Sequence, residues 1–125
     1  MKPKKFNRLS AAIPVVSLQE TLDYYKEKFG FYEEWADGPD GGLRRDDLRV
    51  LFAEDPAYAK LINTSKRRFV ILWFVDNVDE IYREFKEERK IDIIQDIESK
   101  HYGIREFSII DNNGYLIRIA EGIEE

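Results

Sequence analysis

The second half of the chain repeats the first. Ser17 falls on Asn77, Leu18 on Val78, Glu20 on Glu80, Tyr25 on Phe85 and Lys26-Glu27 on Lys86-Glu87, always sixty residues on. An apolar stretch precedes each of these segments, "SAAIPVV" in one case and "VILWFV" in the other. Strand-like segments follow each: about 32–36, 43–45 and 49–54 in the first half, and about 92–97, 105–110 and 115–121 in the second. The closing strands also match, "VLFAE" at 50–54 against "IRIAE" at 117–121. Such a duplication constrains a fold more than either copy alone, because one supersecondary unit must serve twice. The expected plan is βαβββ, a connector, then βαβββ, in a single domain spanning 1–125. Repeat one covers about 10–54, the connector 55–67 and repeat two about 68–121.

The helices carry the clearest local signals. Ser17 and Glu20 form an S-x-x-E capping box, in which each side chain satisfies a backbone N–H of the first turn. Leu18, Leu22, Tyr25 and Phe29 follow at helical spacing, and Gly30 supplies a left-handed exit. In the second copy Asn77 caps, Glu80 follows, and Val78, Ile81, Tyr82 and Phe85 form the apolar stripe. "DNNG" at 111–114 predicts a hairpin turn, because Asn and Gly accept the positive φ that tight turns require. "DGPDGG" at 37–42 predicts a longer, mobile loop. Strand alternation places Val15, Phe52, Trp73, Ile117 and Ile119 under the helices, and Ser10, Leu51, Val70, Leu72, Phe74 and Arg118 on the opposite face.

Composition narrows the function classes. The 125 residues include no cysteine, which excludes disulfides, thiolate metal sites and thiol nucleophiles. The longest apolar run, "FVILWFV" at 69–75, is far short of the roughly 20 residues that span a bilayer. The basic start "MKPKKFNR" leads into no apolar stretch with a cleavage site, so a short tail is expected rather than a signal. A cytoplasmic protein without a membrane partner is the expectation. Against 25 acidic residues stand 20 basic ones, a net charge of −5, and only "SKRR" at 65–68 concentrates positive charge. Nucleic acid is therefore not an expected partner. The acidic surface favours encounter with a cationic ligand. Neither a dinucleotide-binding glycine loop nor a Walker loop is present.

The stretches "IPVVSLQETLDYYKEKFGF", "FVDNVDEIYREFKEE" and "YGIREFSIIDNNGYLIRIAE" resemble the vicinal oxygen chelate superfamily. That superfamily includes glyoxalase I, extradiol dioxygenases, fosfomycin-resistance enzymes and bleomycin-resistance proteins. The last stretch is most similar to the bleomycin-resistance branch, where W-G-x-R-E-F leads into a D-P-x-G-N turn. Here Tyr102 replaces the Trp and Asn112 the Pro. The resemblance implies an α+β fold in which two βαβββ repeats form a curved mixed β-sheet cup with helices on its outer face. It also implies a homodimer whose clefts are completed by both chains.

Metal enzymes of the superfamily hold a divalent ion with four side chains, typically His, Glu, His or Gln, and Glu, leaving positions open for substrate oxygens. Carried over position by position, the resemblance puts those ligands at Ser10, Leu51, Val70 and Arg118. None suits a catalytic ion, and Arg118 sets a permanent positive charge where the ion would lie. Glu121 lies three positions beyond Arg118, on the opposite parity of its strand. The single histidine, His101, is expected in a loop. No metal, cofactor or catalytic residue is therefore assigned, and a binding protein is expected rather than an enzyme.

The expected ligand-binding residues are Trp35, Leu51, Val70, Leu72, Phe74, Tyr102, Glu106 and Arg118. Two readings of this face stand side by side. One is a small-molecule pocket, apolar with a few polar anchors. The other is a filled core in which Arg118 pairs with a structural carboxylate such as Glu106 or Asp111. Trp35 either stacks on a flat ligand or serves the core or a dimer contact, and Tyr102 matches an aromatic that lines the groove of the bleomycin-resistance branch. Glu106 is expected as the structural partner of Arg105 or Arg118, and Trp73 as core. The resulting expectation is metal-independent binding of a small, flat or partly cationic molecule, drug-like or a metabolite, as in antibiotic sequestration. The alternatives are a glyoxalase- or dioxygenase-like enzyme of unknown reaction, or an inactive sensor or interaction domain.

Overall fold

The repeat in the sequence becomes a repeat in topology. The computed structural model describes residues 1–123, so the last two of the expected 1–125 domain lie outside it. In chain order the elements are β1 (Ala12–Val15), α1 (Leu18–Phe29), β2 (Tyr32–Asp37), β3 (Asp40–Arg45), β4 (Leu48–Glu54), α2 (Pro56–Ile62), β5 (Val70–Phe74), α3 (Val78–Arg83), β6 (Gln95–Ser99), β7 (Ile104–Ile110) and β8 (Leu116–Gly122). They form two open four-stranded sheets, ordered β1-β4-β3-β2 and β5-β8-β7-β6. In each, the strand before the helix runs parallel to the last strand of its own repeat, and the remaining pairs are antiparallel. This is the expected α+β plan of two βαβββ repeats, with the strands divided between two open mixed sheets. No helix among the described residues is long and apolar enough to cross a membrane.

Alternation along the strands sorts the core as expected. Val15, Phe52, Trp73, Ile117 and Ile119 are all buried beneath the helices. The two repeats meet through aromatic rings: Trp73 is edged by Tyr25 at 5.9 Å and by Phe29 at 5.6 Å between centroids, and Phe29 stacks on Phe85 at 5.6 Å. A polar bond crosses the same boundary, with the Tyr25 hydroxyl donating to Asp111 Oδ2 at 2.6 Å.

Several local expectations are corrected. Strand β1 begins only at Ala12, so Ser10 lies outside it and is exposed. The segment 37–42 is not a long loop: β2 and β3 are joined by the tight turn Gly38-Pro39, with Gly38 at φ 60°. The connector holds a helix, α2, whose N-terminus is capped by Asp55 Oδ1 accepting from Tyr58 N at 3.2 Å, with Pro56 in the first turn. After α3 the chain continues through a π-helical stretch at 84–88, which delays β6 to Gln95. Within that wider stretch Phe85 stays buried while Glu84 receives Arg45 and Arg89.

The helix starts also differ from expectation. Ser17 Oγ accepts from Glu20 N at 3.3 Å, yet the reciprocal bond of the capping box is absent among the described residues. Asn77 makes no side-chain cap and sits at φ 59°. Instead the last strand of each repeat supplies a carboxylate to its own helix. Glu54 Oε1 accepts from Leu18 N at 2.9 Å, and Glu121 accepts from Asn77 N at 2.8 Å and Val78 N at 3.0 Å. A negative charge there also complements the helix dipole, and these backbone N–H groups hold the Glu121 carboxyl below its usual range. At the other end, the left-handed exit is Gly30 in α1 and Lys90 in the second copy, at φ 75° and 57°.

Candidate functional site

Strand pairing lays out the face opposite the helices as two equivalent rows. Across the first sheet the row is Trp35, Gly42, Leu51 and Ala12; across the second it is Gln95, Ser108, Arg118 and Leu72. Leu51 and Arg118 thus occupy matching places, as the duplication indicates. In the first row, Trp35 lies against Gly42 so closely that a Cβ there would collide with the indole nitrogen. The absent side chain gives the ring its bed, and Trp35 remains 46 % exposed.

The second row is built around an ion pair. Arg118 donates from Nε to Glu106 Oε2 at 2.8 Å and from Nη2 to Glu106 Oε1 at 2.9 Å. Strand β7 buries Glu106 almost completely, and Arg118 covers it from β8. Tyr102, in the turn before β7, donates its hydroxyl to Glu106 and receives Arg118 Nη2 at 3.1 Å, its ring beside the guanidinium at 6.0 Å. The guanidinium holds the Glu106 carboxyl below the usual carboxylate range, outweighing its burial, with the Tyr102 hydroxyl assisting. The same hydrogen bond to Glu106, followed by burial, pushes the Tyr102 hydroxyl up. Near neutral pH this group is therefore a fixed carboxylate, a fixed cation and a protonated phenol. Nothing in it is poised to shuttle a proton.

Beside this triad β5 presents apolar side chains to solvent. Val70, Leu72 and Phe74 are 42, 39 and 60 % exposed, and Phe69 just before them is exposed as well. Of the two readings of this face, the filled core is excluded for the single chain, although Arg118 does pair with Glu106. The other named carboxylate, Asp111, serves Tyr25, and Arg105 pairs with Asp79 at 2.9 Å. Arg118 Nη1 makes no hydrogen bond among the described residues, so its two N–H donors remain unused.

Tyr102, Glu106 and Arg118 thus form one group, with Val70, Leu72 and Phe74 on the same sheet. Trp35 and Leu51 lie on the other sheet. No hydrogen bond, ion pair or aromatic contact among the described residues joins those two to the triad. Ser108 and Gln95, joined at 3.4 Å, were not expected; extending the Arg118 row through the hairpin registers finds them. His101 lies in the exposed turn beside Tyr102. The four positions implied for a metal carry no donor set that fits one. Among the described residues, no group of three or more His, Cys, Asp or Glu side chains could hold an ion.

The chain has the glyoxalase/bleomycin-resistance fold. A bleomycin resistance determinant encoded on the transposon Tn5 is 22 % identical with a TM-score of 0.78, covering 94 % of this chain and 98 % of that one. A bleomycin-binding protein from bleomycin-producing Streptomyces verticillus, complexed with copper(II)-bleomycin, is 17 % identical with a TM-score of 0.70, covering 97 % and 100 %. A glyoxalase/bleomycin resistance protein/dioxygenase from Nocardioides is 12 % identical with a TM-score of 0.74, covering 98 % and 87 %. No protein-family model and no curated protein sequence matches the chain.

Proposed function

We propose that the chain is a metal-independent small-molecule-binding protein that works as a homodimer, each cleft combining the β5–β8 face of one chain with the Trp35–Leu51 face of its partner. The carrying observation is the apolar strip Val70, Leu72 and Phe74, open to solvent beside an Arg118 whose Nη1 is unused. A flat, largely apolar ligand that offers a hydrogen-bond acceptor to Arg118 Nη1 matches that lining. Dimerisation is supported by β5 itself, an edge strand with an exposed apolar face of the kind that soluble monomers avoid. Bleomycin-binding proteins among the structural neighbours support the capture of a drug-like molecule as the mode of action. With Glu106 neutralised and no donor set for an ion, retention of the ligand requires no chemical step.

Native mass spectrometry of the protein as purified tests this reading. The expected result is a dimer of mass twice 14.8 kDa with no stoichiometric metal. Bleomycin, titrated while Trp35 fluorescence is followed, is the first ligand to try. A stable monomer, or a stoichiometric divalent metal, overturns the proposal.

A further inference from the structure

The internal duplication exposes a second site, which shares only Phe74 with the cleft. In repeat two the hairpin turn between β7 and β8 plugs into the start of α1. Tyr115, fully buried, donates its hydroxyl to Pro14 O at 2.5 Å, and Asn113 Oδ1 accepts from Val16 N at 2.8 Å. The equivalent turn in repeat one faces the start of α3 and leaves its place unfilled. Leu48 stands where Tyr115 stands, by the register that matches "VLFAE" to "IRIAE", and the turn is shorter. A smaller side chain and a shorter turn leave a cavity of about 390 Å³ between the β3–β4 turn and the β5–α3 junction.

This volume lies within the roughly 300–1,000 Å³ typical of small-molecule sites, whereas native interiors retain few voids larger than a water. Its wall joins the edges of the nearly buried rings Phe31, Trp73 and Phe85 to Leu48, Phe74 and Ile81. Its rim is acidic, with Asp46, Asp47 and Asp76. The one guanidinium present, Arg45, is spent on Glu84 at 2.7 and 2.9 Å and on Phe29 O at 2.8 Å. Among the described residues Asp46 and Asp76 have no basic partner, and Asp47 holds Arg44 only at 3.8 Å. Aromatic walls below a ring of unneutralised carboxylates complement a flat ring bearing a positive charge. We propose that this cavity is a ligand site for a small aromatic cation, its ring against Trp73 and its charge at the Asp46–Asp76 rim.

The test uses 1-naphthylmethylammonium and the Trp35→Phe protein, in which Trp73 is the only tryptophan. Saturable quenching of Trp73 is expected, with neutral 1-naphthalenemethanol binding several-fold more weakly. Leu48→Tyr, which repeats the plug of the other half, should weaken the ammonium probe at least tenfold. If circular dichroism shows that variant misfolded, the decision passes to the exposed pair Asp46→Asn/Asp47→Asn, expected to weaken the probe several-fold. Trp73 emission unchanged by millimolar probe, or equal affinity in a folded Leu48→Tyr or in the Asp pair variant, overturns the proposal. The cleft reading shares only Phe74 with this cavity and rests besides on Arg118 and on oligomeric state, so either site can fail alone.

Discussion

Arg118 clamps Glu106 with two parallel hydrogen bonds at the place where the other repeat carries Leu51. The duplicated position therefore holds a charge in one sheet and an alkyl group in the other, and only the charge has a buried carboxylate beneath it. Truncating one member of a buried pair strands the other. Because Arg118 is partly exposed, Arg118→Leu should cost about 2 kcal/mol, below the full range for buried pairs. Adding Glu106→Gln should recover much of that loss in urea unfolding. A double-mutant cycle with no coupling would contradict the pairing.

The same pair sets a pH dependence. Glu106 titrates below its unfolded value of about 4.3, chiefly through Arg118. A depressed carboxylate contributes stability that is fully present above the unfolded value and is lost as pH falls through the folded one. The stability difference between the parent and Glu106→Gln should thus be constant from pH 6 to 8 and shrink below about pH 4. Equal differences at pH 7 and pH 3 would show that the ion pair contributes nothing.

Leu72 and Phe74 test the dimer. A charge placed on the open β5 face, as in Leu72→Glu, desolvates only if a partner covers that face. Sedimentation should give a dimer for the parent at micromolar concentration and a monomer for the variant, with unchanged circular dichroism. A variant that remains fully dimeric would place the interface elsewhere.

Lys90 adopts at φ 57° the left-handed exit that Gly30 fills in the first copy. A side chain there costs about 1 kcal/mol in local sterics, part of which glycine returns through its freer unfolded chain. Lys90→Gly should raise stability by about 0.5 kcal/mol, whereas Gly30→Ala should lower it, since a Cβ would also meet Arg89 Nη2 at 2.6 Å. Thermal unfolding of both variants decides; a destabilised Lys90→Gly would contradict the strain.

How much of this was legible in the sequence follows from the range of each interaction. Helix stripes and strand faces were legible because two copies testify to each position; Trp73 and Ile119 fell on the buried side accordingly. Helix α2 was also legible in principle, since Asp55-Pro56 is a cap followed by a first-turn proline, but seven residues with only Ala59 buried are too short to show a helical period. Gly38-Pro39 misled in the other direction, because glycine and proline mark a tight turn as readily as a loop. Two features lay beyond local reading. The cap of α3 comes from Glu121, 44 residues away, and the choice of Glu106 over Asp111 for Arg118 depends on Tyr25 claiming Asp111 from 86 residues away.

The carboxylates of Glu54 and Glu121 have a consequence for how such a chain can be rearranged. Each ties the last strand of a repeat to the first turn of the helix in that same repeat. A half-molecule thus brings its own latch, and neither half borrows the other's. Halves could be joined in tandem, or traded between two chains, without unfastening either one; what must be rebuilt is the aromatic seam where Trp73 meets Phe29, together with the bonds of Asp111, Asn113 and Tyr115 to the first half and the Arg45–Glu84 pair.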